Sequence, residues 1–416
     1  MLVREGVPYE VVPGVTSAIA VPAYQGIPVT HRDFCSSVHI ITGHKREGEA
    51  YNIDFEALVR TKGTLVFLMG VSSLGAICDG LLKAGIRPEM PAALLARGTT
   101  AAQNRIVATV ATLPEAVARH GAITPAIIVV GEVCALADEF SWAEKRVLGG
   151  VRVFVTRPKE LAGTLSLRLR KLGVEVVEIP AIRTKAREGG AFAEALDTVD
   201  AFDWIVFTSP TGVRIFFEEM KRKKLDVRRL AKTRFAVIGS GSEKELEKYG
   251  FYGDLMPEVY DGEHLGMALA AVCEEELAKK DTEKSLRILI PRAAIGNQEL
   301  ISALAQVSGL EVSDVPTYDT YYGLDTEEET PALDRAAELS SGGRDYVIFT
   351  SASTVKGFAA AAAGLDDTKV RAICIGRQTK EAADAFSMQT WMSEKASIDS
   401  LIDKLTEISC EAATRL

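Results

Sequence analysis

Short, almost wholly apolar runs alternate with longer amphipathic stretches along most of this chain. Runs at 38–42, 64–69 and 126–130, and beyond them at 151–156, 204–207, 235–238, 288–290, 346–349 and 372–375, are too short for helices. They read as strands buried on both faces, as in a sheet covered by helices. Between them, helical periodicity predicts helices near 72–85, 113–120 and 160–172, with further strands at 91–96 and 174–179. At the start, Val7-Pro8-Tyr9-Glu10-Val11-Val12 is expected to form a strand feeding the Pro13-Gly14 turn, followed by a small-residue helix over 16–23. The paired Gly149-Gly150 marks a joint between two α/β units.

The second unit repeats itself. Asp203-Trp204-Ile205-Val206-Phe207-Thr208-Ser209-Pro210-Thr211-Gly212-Val213 recurs as Asp345-Tyr346-Val347-Ile348-Phe349-Thr350-Ser351-Ala352-Ser353-Thr354-Val355. Phe235-Ala236-Val237-Ile238-Gly239-Ser240 is answered by Ala372-Ile373-Cys374-Ile375-Gly376-Arg377, and Val153-Phe154-Val155-Thr156-Arg157 by Ile288-Leu289-Ile290-Pro291-Arg292. The copies lie roughly 140 residues apart, the length of a small domain and far beyond a solenoid repeat. In each copy an apolar run stops at Thr-Ser, or at Gly plus a polar residue, and a helical pattern follows. A buried parallel strand hands over to a crossover helix in this way, and ligands bind outside the carboxyl ends of such strands. Both copies are therefore expected to face one anionic ligand across a shared cleft. For each lobe to own a sheet, residues 151–182 must join 320–416, which leaves 183–319 as an inserted lobe with crossings near 180–184 and 314–322.

At 416 residues the chain is too long for one ordinary domain, and 1–148 form a unit of their own. Its net charge of −9 argues against general nucleic-acid binding and leaves an anionic ligand to local donors. The six cysteines show no Cys-x-x-Cys spacing, and Cys134 and Cys374 sit inside apolar runs, as buried reduced thiols would. Five histidines form no close set, and nothing marks the most exposed-looking, His44, as a ligand, so no metal is expected. Met1-Leu2-Val3-Arg4-Glu5-Gly6 is no apolar leader, and the longest apolar stretch, 125–137, is broken by Glu132. A cytoplasmic protein without membrane contact is expected.

Thr208-Ser209 and Thr350-Ser351 are the foremost candidates for ligand contact, with Thr211 and Ser353 extending the polar rim. Helix N-capping is the competing explanation for either pair. Gly239-Ser240 and Gly376 resemble phosphate-cradling turns, but Lys244 stands where a dinucleotide fingerprint needs a third glycine, so they are read as turns lending amides to the cleft. Arg157 and Arg292, each directly after a strand, either pair ligand carboxylates or are plain surface arginines. The basic run Lys221-Arg222-Lys223-Lys224 with Arg228-Arg229 is read as a solvated helix end, nucleic-acid binding being the alternative. Tyr318, expected at a lobe crossing, carries a phenol able to donate a proton to a leaving hydroxyl.

These motifs, in this order, resemble uroporphyrinogen-III synthase from about 150 to the C-terminus. The resemblance implies a two-lobed α/β fold with the second lobe inserted in the first. It also implies cofactor-free cyclisation of hydroxymethylbilane to uroporphyrinogen III, with inversion of the last pyrrole ring and loss of water. In that family the tyrosine at the position of Tyr318 assists loss of the hydroxyl. Val12-Pro13-Gly14-Val15-Thr16-Ser17-Ala18, Gly26-Ile27-Pro28-Val29-Thr30-His31-Arg32, Leu65-Val66-Phe67-Leu68-Met69-Gly70 and Gly98-Thr99-Thr100 resemble the C-terminal part of uroporphyrinogen-III C-methyltransferase. That likeness implies an S-adenosylmethionine pocket lined by Thr16, Ser17, Met69 and Gly98. The family's first lobe, with its glycine-rich loops, is expected to precede residue 1, so the methylase domain is read as truncated. A homodimer through it, or pairing with a separate N-terminal lobe, is implied. The combined expectation is a fused enzyme making precursors of porphyrin, sirohaem and cobalamin. The alternative is a non-catalytic cytosolic sensor of a small anion or tetrapyrrole.

Overall fold

Three five-stranded sheets organise the chain in a computed structural model, which describes residues 1–43, 53–121, 123–157, 159–279, 285–296, 298–323, 344–362 and 364–414. His44 lies outside the described residues. The first sheet contains β1 (Val38–Thr42), β2 (Thr64–Leu68), β3 (Pro91–Ala96), β4 (Asn104–Thr109) and β5 (Ala126–Val130) in the order β1-β2-β5-β3-β4. Only β1 and β2 are parallel. Helices α1 (Ser17–Tyr24), α2 (Phe55–Thr61), α3 (Leu74–Lys83) and α4 (Leu113–His120) cover it, with α3 and α4 burying Ile77, Leu81, Leu113 and Val117 on one face. Ala18 of α1 packs with Val133 and Cys134 on the other. The edge strand β4 went unanticipated because its apolar stretch, Ile106-Val107-Ala108, is short and flanked by Asn104, Arg105 and Thr109.

The strand expected at 7–12 does not form. Residues 1–16 are exposed throughout and pair with no strand among the described residues. A segment without a ladder partner gains nothing from extended pairing beyond what water already supplies.

Past Gly150 the chain runs β6 (Arg152–Val155), α5 (Lys159–Lys171), β7 (Glu175–Glu178), β8 (Ile182–Ala186), α6 (Gly190–Asp197), β9 (Trp204–Phe207) and α7 (Pro210–Arg222). It continues through β10 (Arg234–Val237), α8 (Ser240–Glu247), α9 (Gly262–Lys279), β11 (Leu286–Ala293), α10 (Glu299–Leu304) and β12 (Leu310–Tyr322). The last elements are β13 (Asp345–Phe349), α11 (Ala352–Ala361), β14 (Arg371–Cys374), α12 (Arg377–Asp384), β15 (Gln389–Met392) and α13 (Ile398–Thr414). One sheet has the order β15-β14-β13-β6-β7, all parallel; the other, β10-β9-β11-β12-β8, is parallel except for β8. The repeat appears here as matching strand positions, since β14-β13-β6-β7 occupies the places of β10-β9-β11-β12.

Two sequence expectations need correction. Strand β12 continues unbroken to Tyr322, and Tyr318 to Tyr322 pair antiparallel with Ala186 to Ile182, so the second lobe's sheet holds 182–322. Tyr318 therefore sits inside a strand and not on a crossing. The β8–β12 ribbon supplies the ladder bonds, and Gly323 N donates to Ala181 O at 3.1 Å where the ribbon leaves the lobe. The boundary at Gly149-Gly150 also moves, because Leu148, expected to close the first unit, packs in the core of the next. Leu148 is fully buried in the first lobe's core, its N–H donates to Leu172 O at 3.0 Å, and Arg344 Nη1 donates to Gly149 O at 2.8 Å.

Helix α11 packs onto the ribbon so closely that a Cβ on Gly357 would lie 2.6 Å from Ile182 Cγ2 and closer still to the Ala181 carbonyl. Gly357→Ala should lower stability by about 1–3 kcal/mol through overpacking. Gly163→Ala, in α5 with open space around it, should raise stability by up to about 1 kcal/mol. Thermal unfolding of both variants checks the contrast; equal shifts would contradict it.

Candidate functional site

In each synthase-like lobe, a fully buried strand ends at a Thr-Ser pair and the serine caps the next helix. Ser209 Oγ accepts from Gly212 N at 3.0 Å at the start of α7. Ser351 Oγ accepts from Thr354 N at 3.3 Å and Thr354 Oγ1 from Ser351 N at 3.2 Å, closing a capping box on α11. Ser353 Oγ lies 2.8 Å from Ser351 Oγ. The half-buried Thr208 and Thr350 share no such duty: among the described residues neither hydroxyl has a hydrogen-bond partner. The serines thus serve the helices, while the Thr208 and Thr350 hydroxyls stay unengaged beside two positive helix ends, with Thr211 half-buried on the first turn of α7.

Tyr318 reaches this edge from β12. Its Oη is 2.9 Å from Ser209 Oγ, and only 6% of the residue is exposed. Burial raises the phenol above its ordinary value near 10, while the Ser209 bond and the Arg214 charge pull the other way. Arg214, on α7, was missed in the sequence; its only signal was a cation at the position matched by Lys356 in the second copy.

The two arginines after strands part company. Arg157 Nε is buried with no hydrogen-bond partner among the described residues, and burial lowers the guanidinium's proton affinity. A desolvated cation in that state is a place for an incoming carboxylate. Arg292 is 4% exposed, and Nε and Nη2 both donate to Asp314 at 2.6 Å, so as a ligand clamp it is corrected to an internal ion pair. It follows a strand just as Arg157 does, but the neighbouring strand β12 places Asp314 beside it.

The glycine turns follow matching strands, β10 and β14, in the two lobes. Gly239 is buried beneath Tyr260, where a Cβ would come within 2.7 Å of the ring, so it serves packing as well as the turn before Ser240. Next to Tyr260, Asp261 accepts from His264 N at 2.9 Å and lies 2.7 Å from His264 Nδ1. Burial pushes the Asp261 carboxyl up, but the His264 bonds and the charges of His264 and Arg377 together hold it below its ordinary value. Arg377 belongs to the other lobe and directly follows Gly376, whose Cβ position is open space. Asp261, beside the Gly239 turn, thus lies within electrostatic reach of Arg377, beside the Gly376 turn.

A separate cavity of about 1120 Å³ lies between the first sheet and the first synthase-like lobe. Ser17, Met69 and Gly98 line it, as do Arg97, Thr100, Ala126, Arg152 and Glu175. Thr16 is not among its walls; it caps α1, its Oγ1 accepting from Ala18 N at 3.3 Å. Met69, Arg97 and Thr99, with φ of 55°, 46° and 71°, adopt the left-handed conformation at this cavity and its loop. Such strain in non-glycine residues gathers where a surface is shaped for a ligand.

A family model described as uroporphyrinogen-III synthase HemD matches residues 163–403. The chain is 41% identical over 409 residues to the porphyrin biosynthesis protein HemD of Ruminiclostridium josui, covering 98% of this chain and 78% of that protein. The chain belongs to the uroporphyrinogen-III synthase HemD family. A second model, tetrapyrrole (corrin/porphyrin) methylases, matches residues 1–114. The uroporphyrinogen-III C-methyltransferase of Bacillus subtilis is 37% identical over 249 residues, covering 60% of this chain, and the chain spans only 51% of that protein. Among solved structures, a mutant uroporphyrinogen III synthase from Thermus thermophilus aligns at 19% identity with a TM-score of 0.43, over 63% of this chain and 99% of that one.

Four of the six cations in the basic run at 221–229 are paired in place: Arg222 with Glu219, Lys223 with Asp197, Arg228 with Asp226 and Arg229 with Asp200. Cys134 and Cys374 are buried free thiols, and burial pushes Cys374 up to about 12. Among the described residues no helix is long and apolar enough to cross a membrane, and no group of three or more His, Cys, Asp or Glu could hold a metal.

Within each Thr-Ser pair the two roles separate by substitution. Ser209→Ala and Ser351→Ala should each lower stability by about 1 kcal/mol, the worth of a cap. Thr208→Ala and Thr350→Ala should leave the melting temperature unchanged yet weaken uroporphyrinogen III binding about tenfold, the worth of one hydrogen bond. Melting curves and ligand titrations check this; threonine variants that lose stability but not affinity would contradict it.

Proposed function

We propose that the chain is a uroporphyrinogen-III synthase whose two lobes close hydroxymethylbilane into uroporphyrinogen III, reversing the last pyrrole ring and releasing water. The observation that carries this reading is the Tyr318–Ser209 contact at the carboxyl edge of the second lobe's sheet. Burial keeps the phenol protonated, so it can give its proton to the leaving hydroxyl, which departs as water. Ser209 already accepts from Gly212 N and can donate its own proton to the Tyr318 oxygen. The Arg214 charge then favours the phenolate. The proton lent is recovered when the ring-closing pyrrole carbon sheds its hydrogen, so the balance is one water lost. Thr208, Thr211, Ser240, Thr350 and Gly376, with Arg157, are assigned to the carboxylate side chains of the substrate, while Ser209, Ser351 and Ser353 stay with the helix caps. Gly239 shapes its turn, and the step uses no cofactor.

For the first third we propose an adenosyl-type methyl donor, S-adenosylmethionine, in the 1120 Å³ cavity. The residues present fit it: the volume admits a nucleoside with its amino-acid tail, and the left-handed residues at 69, 97 and 99 shape a wall around it. When bound, the donor supplies a transferable methyl group. Ser17, Met69 and Gly98 would hold it on the protein side. Gly98 is required there because a Cβ would meet Val21 Cγ1 at 2.5 Å.

Incubation with hydroxymethylbilane followed by isomer separation tests the synthase. The wild-type chain should yield type III product, and Tyr318→Phe should lower its rate by about 100-fold or more, the usual worth of a general acid. A protein that only binds tetrapyrroles would leave the ratio of type III to type I unchanged. Because the required acid form persists below a raised pKa, Tyr318 should impose no basic limb on the rate below about pH 10. A limb near pH 8 that vanishes in Tyr318→Phe would contradict the assignment.

A further inference from the structure

The loop that walls the adenosyl-type cavity is held by a residue of the synthase part. Between β3 and β4, residues 97–103 carry Gly98 and Thr100 into the cavity, and both Arg97 and the β-branched Thr99 are left-handed. A conformation of that kind persists only where surrounding contacts over-determine it. Four contacts come from within the loop: Thr100 Oγ1 and Thr100 N to Arg97 O at 2.8 and 3.3 Å, Gln103 N to Thr100 O at 3.2 Å, and Thr99 N to Gln103 Oε1 at 3.3 Å. One comes from β5's flank, Arg97 N to Pro125 O at 2.9 Å. The last comes from another domain: Ala101 N donates to Glu175 Oε2 at 2.7 Å.

Glu175 is the first residue of β7 and stands in register with Arg152, which stands in register with Asp345. Carboxylate, guanidinium and carboxylate therefore alternate across three adjacent strands. Arg152 grips Asp345 through Nε at 3.1 Å and Nη2 at 2.8 Å, both side chains being almost buried. This row lies at the amino ends of the strands, the edge opposite the tetrapyrrole cleft, and Arg152 and Glu175 line the first cavity. The docked 146–149 segment keeps the two parts from drifting, with Arg146 Nη2 donating to Lys171 O at 2.8 Å.

The geometry points to Glu175 as a positioning residue for the adenosyl-type ligand: the synthase lobe sets the loop that grips a ligand of the methylase part. Glu175 acts through the Ala101 amide, and the affinity of the cavity for a nucleoside thioether depends on a side chain from outside the methylase sequence. The inference rests on the adenosyl reading of the cavity proposed above.

The test uses the full chain with S-adenosylhomocysteine as probe, titrated calorimetrically, and amide exchange of 97–103 without ligand. Glu175→Ala should weaken binding about tenfold and quicken exchange at Ala101 by a similar factor, the scale of one charge-assisted bond. Glu175→Gln keeps an acceptor oxygen and should restore most of both, which a merely destabilising change would not allow. Wild-type affinity in Glu175→Ala, or a loss that Gln does not rescue, overturns the inference. Absence of binding by the wild-type chain overturns the adenosyl reading and the inference with it, a failure distinguished by appearing before any substitution is made.

Discussion

Strands joined by crossover helices run parallel to one another, and parallel strands deliver all their carboxyl ends to one edge. That constraint, applied twice, shapes the synthase part. Each sheet brings its strand ends, its serine-capped helix and its glycine turn to one rim. The β8–β12 ribbon and the packing of α11 on Ala181 and Ile182 then tie the two lobes together. The site is a consequence of strand direction before any particular side chain is considered.

Within that frame, charge and hydrogen bonding are divided between structure and ligand. The chain is acidic overall, with a net charge of −9, so a polycarboxylate substrate depends on local donors. The serines and Arg292 are taken up by caps and an ion pair, while Thr208, Thr350 and Arg157 are not. Tyr318 stands between these groups, buried enough to keep its proton and linked through Ser209 to the helix end.

Apolar runs made most strands legible in the sequence, because burial on both faces removes every polar position. The same rule hid β4, a half-exposed edge strand with only three apolar residues in a row, and the strand expected at 7–12 has no partner among the described residues. The repeat revealed the paired rims, but whether Ser or Thr does the capping depends on backbone geometry that a Thr-Ser string does not encode. Arg157 and Arg292 look alike in sequence and differ only through Asp314, brought alongside by strand pairing. The ribbon, the Asp261–His264 pair facing Arg377 and the Glu175–Ala101 strut likewise join residues distant in the chain, and no local pattern announces them.

The account turns on both lobes gripping one molecule. Amide exchange followed across 207–213 and 349–355 while uroporphyrinogen III is titrated into the intact chain measures that directly. Both segments should gain protection together, with the same concentration dependence, since each supplies a helix end to the same ligand. Protection confined to one segment, or rising at clearly different concentrations in the two, would mean that the rims do not share a ligand and would contradict the two-lobed grip.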